Sequence, residues 1–360
     1  MRWWNLFAPQ NSYDLVIHAI SVFNHSPEAV SLKSITIDGL ASLESVQRVV
    51  IGEPEIRSGI SPLIARQQMG LRKLVDFILG IDDPAMQKAE LAPDLLIEPG
   101  RMLLYPSIYL LFHRLPDKIR VTVALNIGEV DAELDAEISV REYSSQVKYG
   151  FPLEGGWFLK GSPVSGIMDH HRFGYSNQFG VDLLRLGPEG VVFAGSGEQP
   201  TDYFSHGARV LAAADGRVAA VNQDEVQDWH RFNPRSDENT EQFIERQFGE
   251  VRQALDSDII RWAAGNYVII EHTPVEYSVY LHLKPGSFKV VPGQLIRRGQ
   301  HIAEVGNTGD SYAAHLHFQV MDKPDLRIGR SLPFEFDNVE PTLSEPGLFI
   351  KPVPGQSPRV

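Results

Sequence analysis

The first part of the chain alternates between apolar and polar positions in the manner of β-strands. Runs rich in β-branched residues are separated by turn sequences such as Asn24-His25-Ser26-Pro27 and Asp38-Gly39. One segment differs, because Ser61 to Leu79 has apolar residues near helical spacing and begins with Ser-Pro, which favours a helix. The predicted strands are Tyr13–Phe23, Val30–Ile37, Met102–Phe112, Ile119–Ile127 and Ala132–Val140. We therefore predict an N-terminal β-sandwich with a short helical excursion over residues 1–148.

After the turn residues Gly150-Phe151-Pro152, short apolar runs alternate with Gly, Pro and Asp, which favours an antiparallel β-sheet. The predicted strands are Gln178–Leu186, Ala208–Val221, Tyr267–Glu271, Val275–Leu283, Ser287–Val291, Gln300–Val305 and His315–Met321. Residues 223–264 start polar and acidic and then place apolar residues at helical spacing from Phe243 to Ile259. We predict an antiparallel β-domain over 149–345 with a helical insertion at about 223–264, then a Pro-rich tail over 346–360. The whole chain is thus expected to be all-β with helical insertions.

Composition and charge exclude several classes of function. The 360 residues carry a formal net charge of −13, which argues against nucleic-acid or anionic-membrane partners because both bind basic surfaces. The chain has no cysteine, which excludes disulfides, thiolate zinc sites and cysteine nucleophiles. No apolar run reaches the roughly 18 residues that suggest a membrane span. Met1 to Gln10 lacks an apolar signal core, so we predict no secretory signal and leave the compartment open.

Two histidines near the C-terminus suggest chemistry. His315 and His317 occupy alternate positions of one predicted strand, so their imidazoles lie on one face of the sheet. His282 precedes them by about thirty residues. Imidazoles that converge from neighbouring strands suit a metal-assisted hydrolase. Histidines without a partner motif are expected to be ordinary surface or structural residues: His18, His25, His113, His206, His230 and His301.

The C-terminal half resembles the M23 (LytM/lysostaphin-type) zinc metallopeptidases over about residues 150–325. The segments that carry the resemblance are residues 207–218, 265–272, 280–283, 292–296, 298–302, 306–311 and 315–318. They stand in the family's order and at similar intervals. The resemblance implies a LytM-like antiparallel β-sheet domain, of the duplicated hybrid motif kind, with a metal ion in a groove.

The resemblance also assigns roles to the histidines. It implies that His317 binds Zn²⁺ and that His282 and His315 are catalytic. A catalytic zinc keeps three protein ligands and an open fourth position, where a bound water becomes much more acidic. A histidine beside that water can take its proton and pass it to the leaving amine. The sequence leaves open which of the two histidines is the base and which stabilises the oxyanion.

The other two ligands depart from the family pattern, in which a histidine and an aspartate stand four positions apart. The candidate aspartate is Asp182, and the nearest upstream histidines are His170 and His171. We assign His171, eleven positions before Asp182, with His170 as the alternative, because an intervening loop can return it to the strand. The predicted metal set is therefore His171, Asp182 and His317. Gln319 stands where many members have glutamate, a change that the sequence alone does not explain.

We predict a zinc-dependent endopeptidase that hydrolyses amide bonds, with peptides of bacterial peptidoglycan as the substrates that the resemblance implies. The first alternative is a non-catalytic metal-binding or scaffold protein of the same fold. The second is a metal hydrolase that acts on another amide or an ester. The resemblance suggests the cell envelope or secretion, whereas the visible N-terminus does not. No partner is assigned to the N-terminal domain.

Overall fold

The structure is a computed structural model that describes residues 13–162, 169–344 and 347–352, with the backbone alone for Trp229 and residues 341–352. Strands dominate the described residues and helices are few, which confirms the predicted all-β class. The N-terminal segment Met1–Gln10 lies outside them. So does most of the predicted tail, although residues 347–352 form a strand.

Backbone contacts divide the chain into two compact units. The N-terminal unit extends to Tyr143 and also contains Phe173–Tyr175. The C-terminal unit comprises Ser144–Arg172 and continues from Ser176.

The N-terminal unit contains two antiparallel sheets. Its strands are β1 Tyr13–Phe23, β2 Val30–Ala41, β3 Glu44–Ile51, β4 Leu96–Ile97, β5 Met102–Phe112, β6 Lys118–Ile127 and β7 Val130–Ser139. One sheet pairs β1 with β5, and the other has the order β3-β2-β6-β7 with β4 on β2. Strand β6 shows how the pattern builds the core, because Ile119, Val121, Val123 and Leu125 are buried while the residues between them are half-exposed.

The predicted helix over residues 61–79 is wrong in its start and in its continuity. The structure has three helices here: α1 Glu53–Gln68, α2 Arg72–Leu79 and α3 Pro84–Lys88. Helix α1 begins after Gly52 with Pro54 in its first turn, where a proline costs no hydrogen bond, and it continues through Pro62. Its apolar residues Ile60 and Leu63 are buried. Gly70, at φ +75°, then separates α1 from α2.

The C-terminal unit is built around one large antiparallel sheet. Its elements are β8 Trp157–Gly161, β9 Val181–Leu184, β10 Arg209–Leu211, β11 Gly216–Asn222, α4 Thr240–Asp256, α5 Ile259–Ala264, β12 Tyr267–Thr273, β13 Glu276–Leu281, β14 Leu295–Ile296, β15 His301–Glu304, β16 Leu316–Met321, β17 Ser331–Leu332, β18 Val339–Ser344 and β19 Gly347–Pro352. The large sheet has the order β14-β11-β12-β13-β16-β9-β8-β19-β18, with β17 on β16. Strands β10 and β15 form a separate pair.

The central strands of this sheet are buried on both faces. Every residue of β13 and β16 is buried, and the rings of Tyr280 and Phe318 meet edge to face at 5.2 Å. The Tyr280 hydroxyl accepts hydrogen bonds from the Ala213 amide at 2.7 Å and from the Ser278 hydroxyl at 3.1 Å. The polar side chains in the middle of the sheet are therefore buried in a packed environment.

One predicted strand, Ser287–Val291, is wrong. In this segment the Lys289 amide bonds to the Ile302 carbonyl, and the Ser287 hydroxyl accepts from the Glu304 amide. These contacts replace a regular strand ladder, so the segment runs beside β15 as an irregular loop.

Residues 223–264 contain α4 and α5 between β11 and β12, each helix capped by a preceding side chain, Asn239 for α4 and Asp258 for α5. Among the described residues, no helix has both the length and the apolar character needed to cross a membrane.

Candidate metal centre

Three adjacent strands bring the predicted chemistry together. In the register of the sheet, His317 of β16 stands opposite Leu281 of β13 on one side and opposite Asp182 of β9 on the other. His317 and Asp182 are each only 4% exposed. The His317 Nδ1 atom lies 3.0 Å from Asp182 Oδ1.

His171 reaches the same carboxylate from a short 3₁₀ turn, His170–Phe173. Its Nε2 atom lies 3.4 Å from Asp182 Oδ1, and the residue is 2% exposed. The close approach of the His171 ring to Asp182 requires a residue without a side chain at position 161, the last residue of β8. A Cβ atom at Gly161 would stand 2.9 Å from the His171 ring and 3.0 Å from the Asp182 carboxylate. The loop between the two candidate ligands thus returns His171 to Asp182 although eleven positions separate them.

These three side chains fit a zinc ion by donor type and by spacing. One ligand atom of each lies within 4.8 Å of the others. Two ligands at about 2.1 Å from a tetrahedral zinc lie about 3.4 Å apart. The distances from Asp182 Oδ1 to His171 and His317, 3.4 and 3.0 Å, approach that spacing. Two imidazoles and one carboxylate also form a donor set typical of catalytic zinc.

The electrostatics of the cluster suit a cation. Burial alone would raise the pKa of Asp182, but His171 and His315 hold it well below its usual range. Burial alone would lower the pKa of His171, but the carboxylates of Asp182 and Asp169 raise it to about 10, so a metal ion bound to this ring must displace a proton. Burial lowers the pKa of His317 and so favours the neutral imidazole that a metal ligand must present.

His170, the alternative ligand, lies at the edge of the cluster. Its side chain is 65% exposed, and its Nε2 atom lies 3.6 Å from Asp182 Oδ2. Burial of its inner part and the neighbouring His171 lower its pKa. The geometry favours His171, because the set of His171, Asp182 and His317 is buried throughout.

Asp169 is a residue that the sequence reasoning missed. Its Oδ1 atom lies 3.1 Å from His171 Nδ1 and accepts the His171 backbone amide at 3.2 Å. The approach at His171 Nδ1 lacks hydrogen-bond geometry, so Asp169 acts on this ring as a close negative charge on the side away from Asp182. The position of Asp169 directly before the two histidines was the only available signal.

His315, directly before β16, faces the same carboxylate. Its Nε2 atom lies 3.4 Å from Asp182 Oδ1. Its Nδ1 atom donates to the Ala313 carbonyl at 2.8 Å and lies 3.0 Å from the Ser311 hydroxyl. Ser311 in turn donates to Asn307 Oδ1 at 2.7 Å. Because Nδ1 is the donor to Ala313, Nε2 of the neutral ring presents its lone pair beside the candidate ligand Asp182.

His282 follows β13 and is held in an unusual backbone conformation. Its φ of +63° lies in the left-handed region, which only a few per cent of non-glycine residues occupy, although histidine is one of the residue types that are more common there. Its Nδ1 atom donates to the Thr308 carbonyl at 2.8 Å, and its ring centre lies 4.6 Å from that of His315. Burial, together with His315 and His317, lowers its pKa well below the usual value. His282 is thus a neutral imidazole beside His315, and strain of this kind is typical of functional sites.

His272, in β12, lies away from this cluster. Its ring pairs with the Asp215 carbonyl and the Ser278 hydroxyl, each at 2.7 Å. Both contacts belong to the framework of the sheet, and burial lowers the pKa of the ring.

Comparison with known proteins connects this cluster to a family. The family model described as peptidase family M23 matches residues 247–327, which contain His282, His315 and His317. The peptidoglycan DD-endopeptidase ShyB of Vibrio cholerae is 46% identical over 77 residues, 19% of this chain and 18% of ShyB. The peptidoglycan DD-endopeptidase ShyA of the same organism is 43% identical over 58 residues, 16% of this chain and 13% of ShyA. The chain therefore aligns with less than a fifth of either relative.

Among solved structures, the chain is similar to the catalytic domain of the antimicrobial peptidase lysostaphin from Staphylococcus simulans. The match has 19% identity and a TM-score of 0.26, and it covers 53% of this chain and 95% of that domain. At this TM-score the likeness carries no further argument.

Proposed function

We propose that this chain, which contains a domain of peptidase family M23, is a zinc-dependent endopeptidase that hydrolyses amide bonds in peptidoglycan peptides. The observation that carries the proposal is the convergence of two sets of buried side chains. A metal-ligand set of His171, Asp182 and His317 lies directly beside two further histidines, His282 and His315. A binding protein of the same fold has no need of this second pair.

In this proposal His171 Nε2, an Asp182 oxygen and His317 Nδ1 hold the zinc ion. When bound, zinc polarises a carbonyl and makes a coordinated water much more acidic. The protein contributes a pocket in which all three ligands are buried and each histidine ring has a second polar contact. Asp169 supplies that contact for His171, and Gln319 supplies it for His317.

His315 is the proposed base. The Ala313 carbonyl accepts a hydrogen bond from Nδ1 of His315. Nε2 can therefore accept a proton from the attacking water and pass it to the leaving amine nitrogen. Its Nε2 atom lies 3.4 Å from an oxygen of the ligand Asp182, which places it next to the reacting groups.

His282 is the proposed partner of this base. The Thr308 carbonyl fixes its Nδ1 proton, which leaves Nε2 as the nitrogen that can exchange a proton. The low pKa of His282 keeps the ring neutral near pH 7, so it adds no positive charge to the zinc site. The proton that His315 takes from the attacking water could pass to His282 Nε2, which would then donate a hydrogen bond to the developing oxyanion before the proton leaves with the amine.

The names of the curated relatives support the choice of substrate class. ShyA and ShyB are both described as peptidoglycan DD-endopeptidases, and their similarity falls on part of the chain. On the same ground we propose the cell envelope or the exterior as the place of action.

The proposal is tested with the purified full chain on isolated peptidoglycan. We expect one zinc ion per chain, release of new amino groups, and loss of that release after treatment with a chelator. The variant His315→Ala should bind zinc normally and lose activity by about 10²–10⁴-fold, the usual contribution of a general base. The exposed His113 provides a control, because His113→Gln should keep full activity. A zinc-loaded wild type that releases no amino groups from peptidoglycan would contradict the proposed substrate.

A further inference from the structure

Gln319 joins two parts of the candidate metal centre through one buried amide. It stands two positions after His317 on β16, so both side chains lie on the same face of the strand. The residue is 1% exposed. Its Oε1 atom lies 2.8 Å from His317 Nε2, and its amide nitrogen donates to the Ser176 carbonyl at 2.9 Å.

Hydrogen-bond chemistry fixes the orientation of this amide. The Ser176 carbonyl can only accept, so the Gln319 NH₂ group must face it. The amide oxygen then faces His317, whose Nε2 must carry the proton. With Nε2 protonated, the neutral ring presents the lone pair of Nδ1, the atom that lies 3.0 Å from Asp182 Oδ1. A metal ligand needs this tautomer.

The second contact reaches the stretch of chain that leads to Asp182. Ser176 is the first residue of segment 176–182. The last two residues of this segment, Val181 and Asp182, are the first two residues of β9. Two further hydrogen bonds hold this segment, from the Gly180 amide to the Asn177 carbonyl at 2.7 Å and from the Phe179 amide to the Ser331 hydroxyl at 3.0 Å. Val181 and Asp182, at the end of the segment, pair with β16 in the sheet, and the Gln319 amide adds a contact to β16 at the segment's first residue, Ser176.

We infer that Gln319 is a positioning residue that sets the tautomer of His317 and ties Ser176, the first residue of segment 176–182, to β16. The inference rests on the proposed metal-dependent function. It accounts for the amide at this position, because an ionised glutamate has acceptors only. A carboxylate in its place could still accept from His317, but it would set an oxygen against the Ser176 carbonyl.

Two substitutions separate the two contacts. Gln319→Glu keeps the acceptor for His317 and removes the donor to Ser176. Gln319→Met has similar length and removes both. Ser176→Ala is the matched control, because the contact uses the backbone carbonyl and the substitution leaves it in place.

Three measurements on the full chain test the inference, and none of them needs a substrate. The first is zinc affinity by competition with a chelator. The second is the tautomer of His317 by ¹⁵N NMR in the metal-free protein, where no metal ion fixes the position of the ring proton. The third is hydrogen exchange of the amides in segment 176–182 of the metal-free protein, which does not depend on zinc binding at all.

We expect Gln319→Met to lose zinc affinity by about 10–100-fold, the usual effect of losing a hydrogen-bond partner of a ligand, and to exchange faster in segment 176–182. Gln319→Glu should exchange equally fast, yet keep the Nε2-protonated His317 and zinc affinity within about threefold. Ser176→Ala should match the wild type in all three measurements.

Wild-type exchange in Gln319→Glu would overturn the role of the Ser176 contact. An unchanged zinc affinity and tautomer in Gln319→Met would overturn the role toward His317. If circular dichroism shows that Gln319→Met does not fold, hydrogen exchange in Gln319→Glu still tests the Ser176 contact. The tautomer of His317 in Gln319→Glu then tests the contact to His317. An inactive wild type that shows these patterns would contradict the proposed peptidase activity and leave the inference standing.

Discussion

A single methyl group at Gly180 should disable the metal centre while the fold remains intact. A Cβ atom there would stand 2.6 Å from His317 Cε1 and 3.0 Å from the Asn177 carbonyl oxygen. Relieving the first contact to an ordinary separation of 3.4 Å requires a movement of about 0.8 Å. The φ of Gly180 is not in the left-handed region, so the backbone itself accepts alanine.

The His317 ring cannot make that movement and remain a ligand. Its two nitrogens face Gln319 and Asp182 at 2.8 and 3.0 Å. Metal sites tolerate deviations of about 0.2 Å in ligand distance, several times less than the required movement. We therefore expect Gly180→Ala to lose roughly 10–100-fold in zinc affinity. A misplacement near 1 Å should also cost about 100-fold in kcat/KM.

The assay combines chelator competition, turnover of peptidoglycan and urea unfolding. Overpacking should lower the free energy of unfolding of Gly180→Ala by about 1–3 kcal/mol. Gly249→Ala is the control, because Gly249 lies within α4 and a Cβ atom there meets no described atom within 4 Å. It should stabilise the chain by about 0.5–1 kcal/mol and leave zinc binding unchanged. Wild-type zinc affinity in Gly180→Ala would refute the reasoning, because it would mean that the position of His317 is not limiting.

Three further substitutions test the account. Asp182→Asn should cost more zinc affinity in chelator competition than the roughly 10–100-fold effect of changing a ligand's hydrogen-bond partner, because it removes the charged ligand itself. A smaller loss would contradict its role. Tyr280→Phe should lower the free energy of urea unfolding by about 1–3 kcal/mol, because it strands the buried Ala213 amide. An unchanged free energy of unfolding would mean that another group accepts the hydrogen bond from the Ala213 amide. Burial lowers the pKa of His272, so the unfolded chain binds the extra proton first and stability falls as the pH drops below about 6.5. His272→Gln should remove part of that slope, at most about 1.4 kcal/mol per pH unit, and identical slopes in both proteins would exclude this contribution.

The local pattern predicted long strands rich in β-branched and apolar residues, including β1 and β5, whose side chains do not alternate strictly between buried and exposed. The bounds of β1 and β5 agree with the prediction residue for residue. It failed where local pattern does not decide the structure. The segment 287–291 is apolar enough for a strand, but its backbone groups find partners outside a ladder. Helix α1 continues through Pro62 because packing of its neighbours outweighs the lost hydrogen bond.

The site was predictable where its residues are close in the sequence. The alternation of His315 and His317 along one strand is enough to place two imidazoles on one face. The pairing of Asp182 with His317, by contrast, depends on the order of strands β9 and β16, which are far apart in the chain. No periodic signal reveals such a register.

The second contacts of the ligands were the least predictable. Asp169 and Gln319 are ordinary polar residues in sequence, and they gain a role only through distances of 3.1 and 2.8 Å to histidine nitrogens. The departure of Gln319 from the family pattern was visible in sequence. Its partner Ser176 was not, since it lies 143 positions away in the chain.

The most direct test of the account is a crystal structure of the zinc-loaded protein with anomalous scattering recorded at the zinc edge. We predict one strong peak at about 2.0–2.2 Å from His171 Nε2, an Asp182 carboxylate oxygen and His317 Nδ1, with an open fourth position facing His315. Zinc bound through His170 in place of His171, or no peak between these three side chains, would contradict the account.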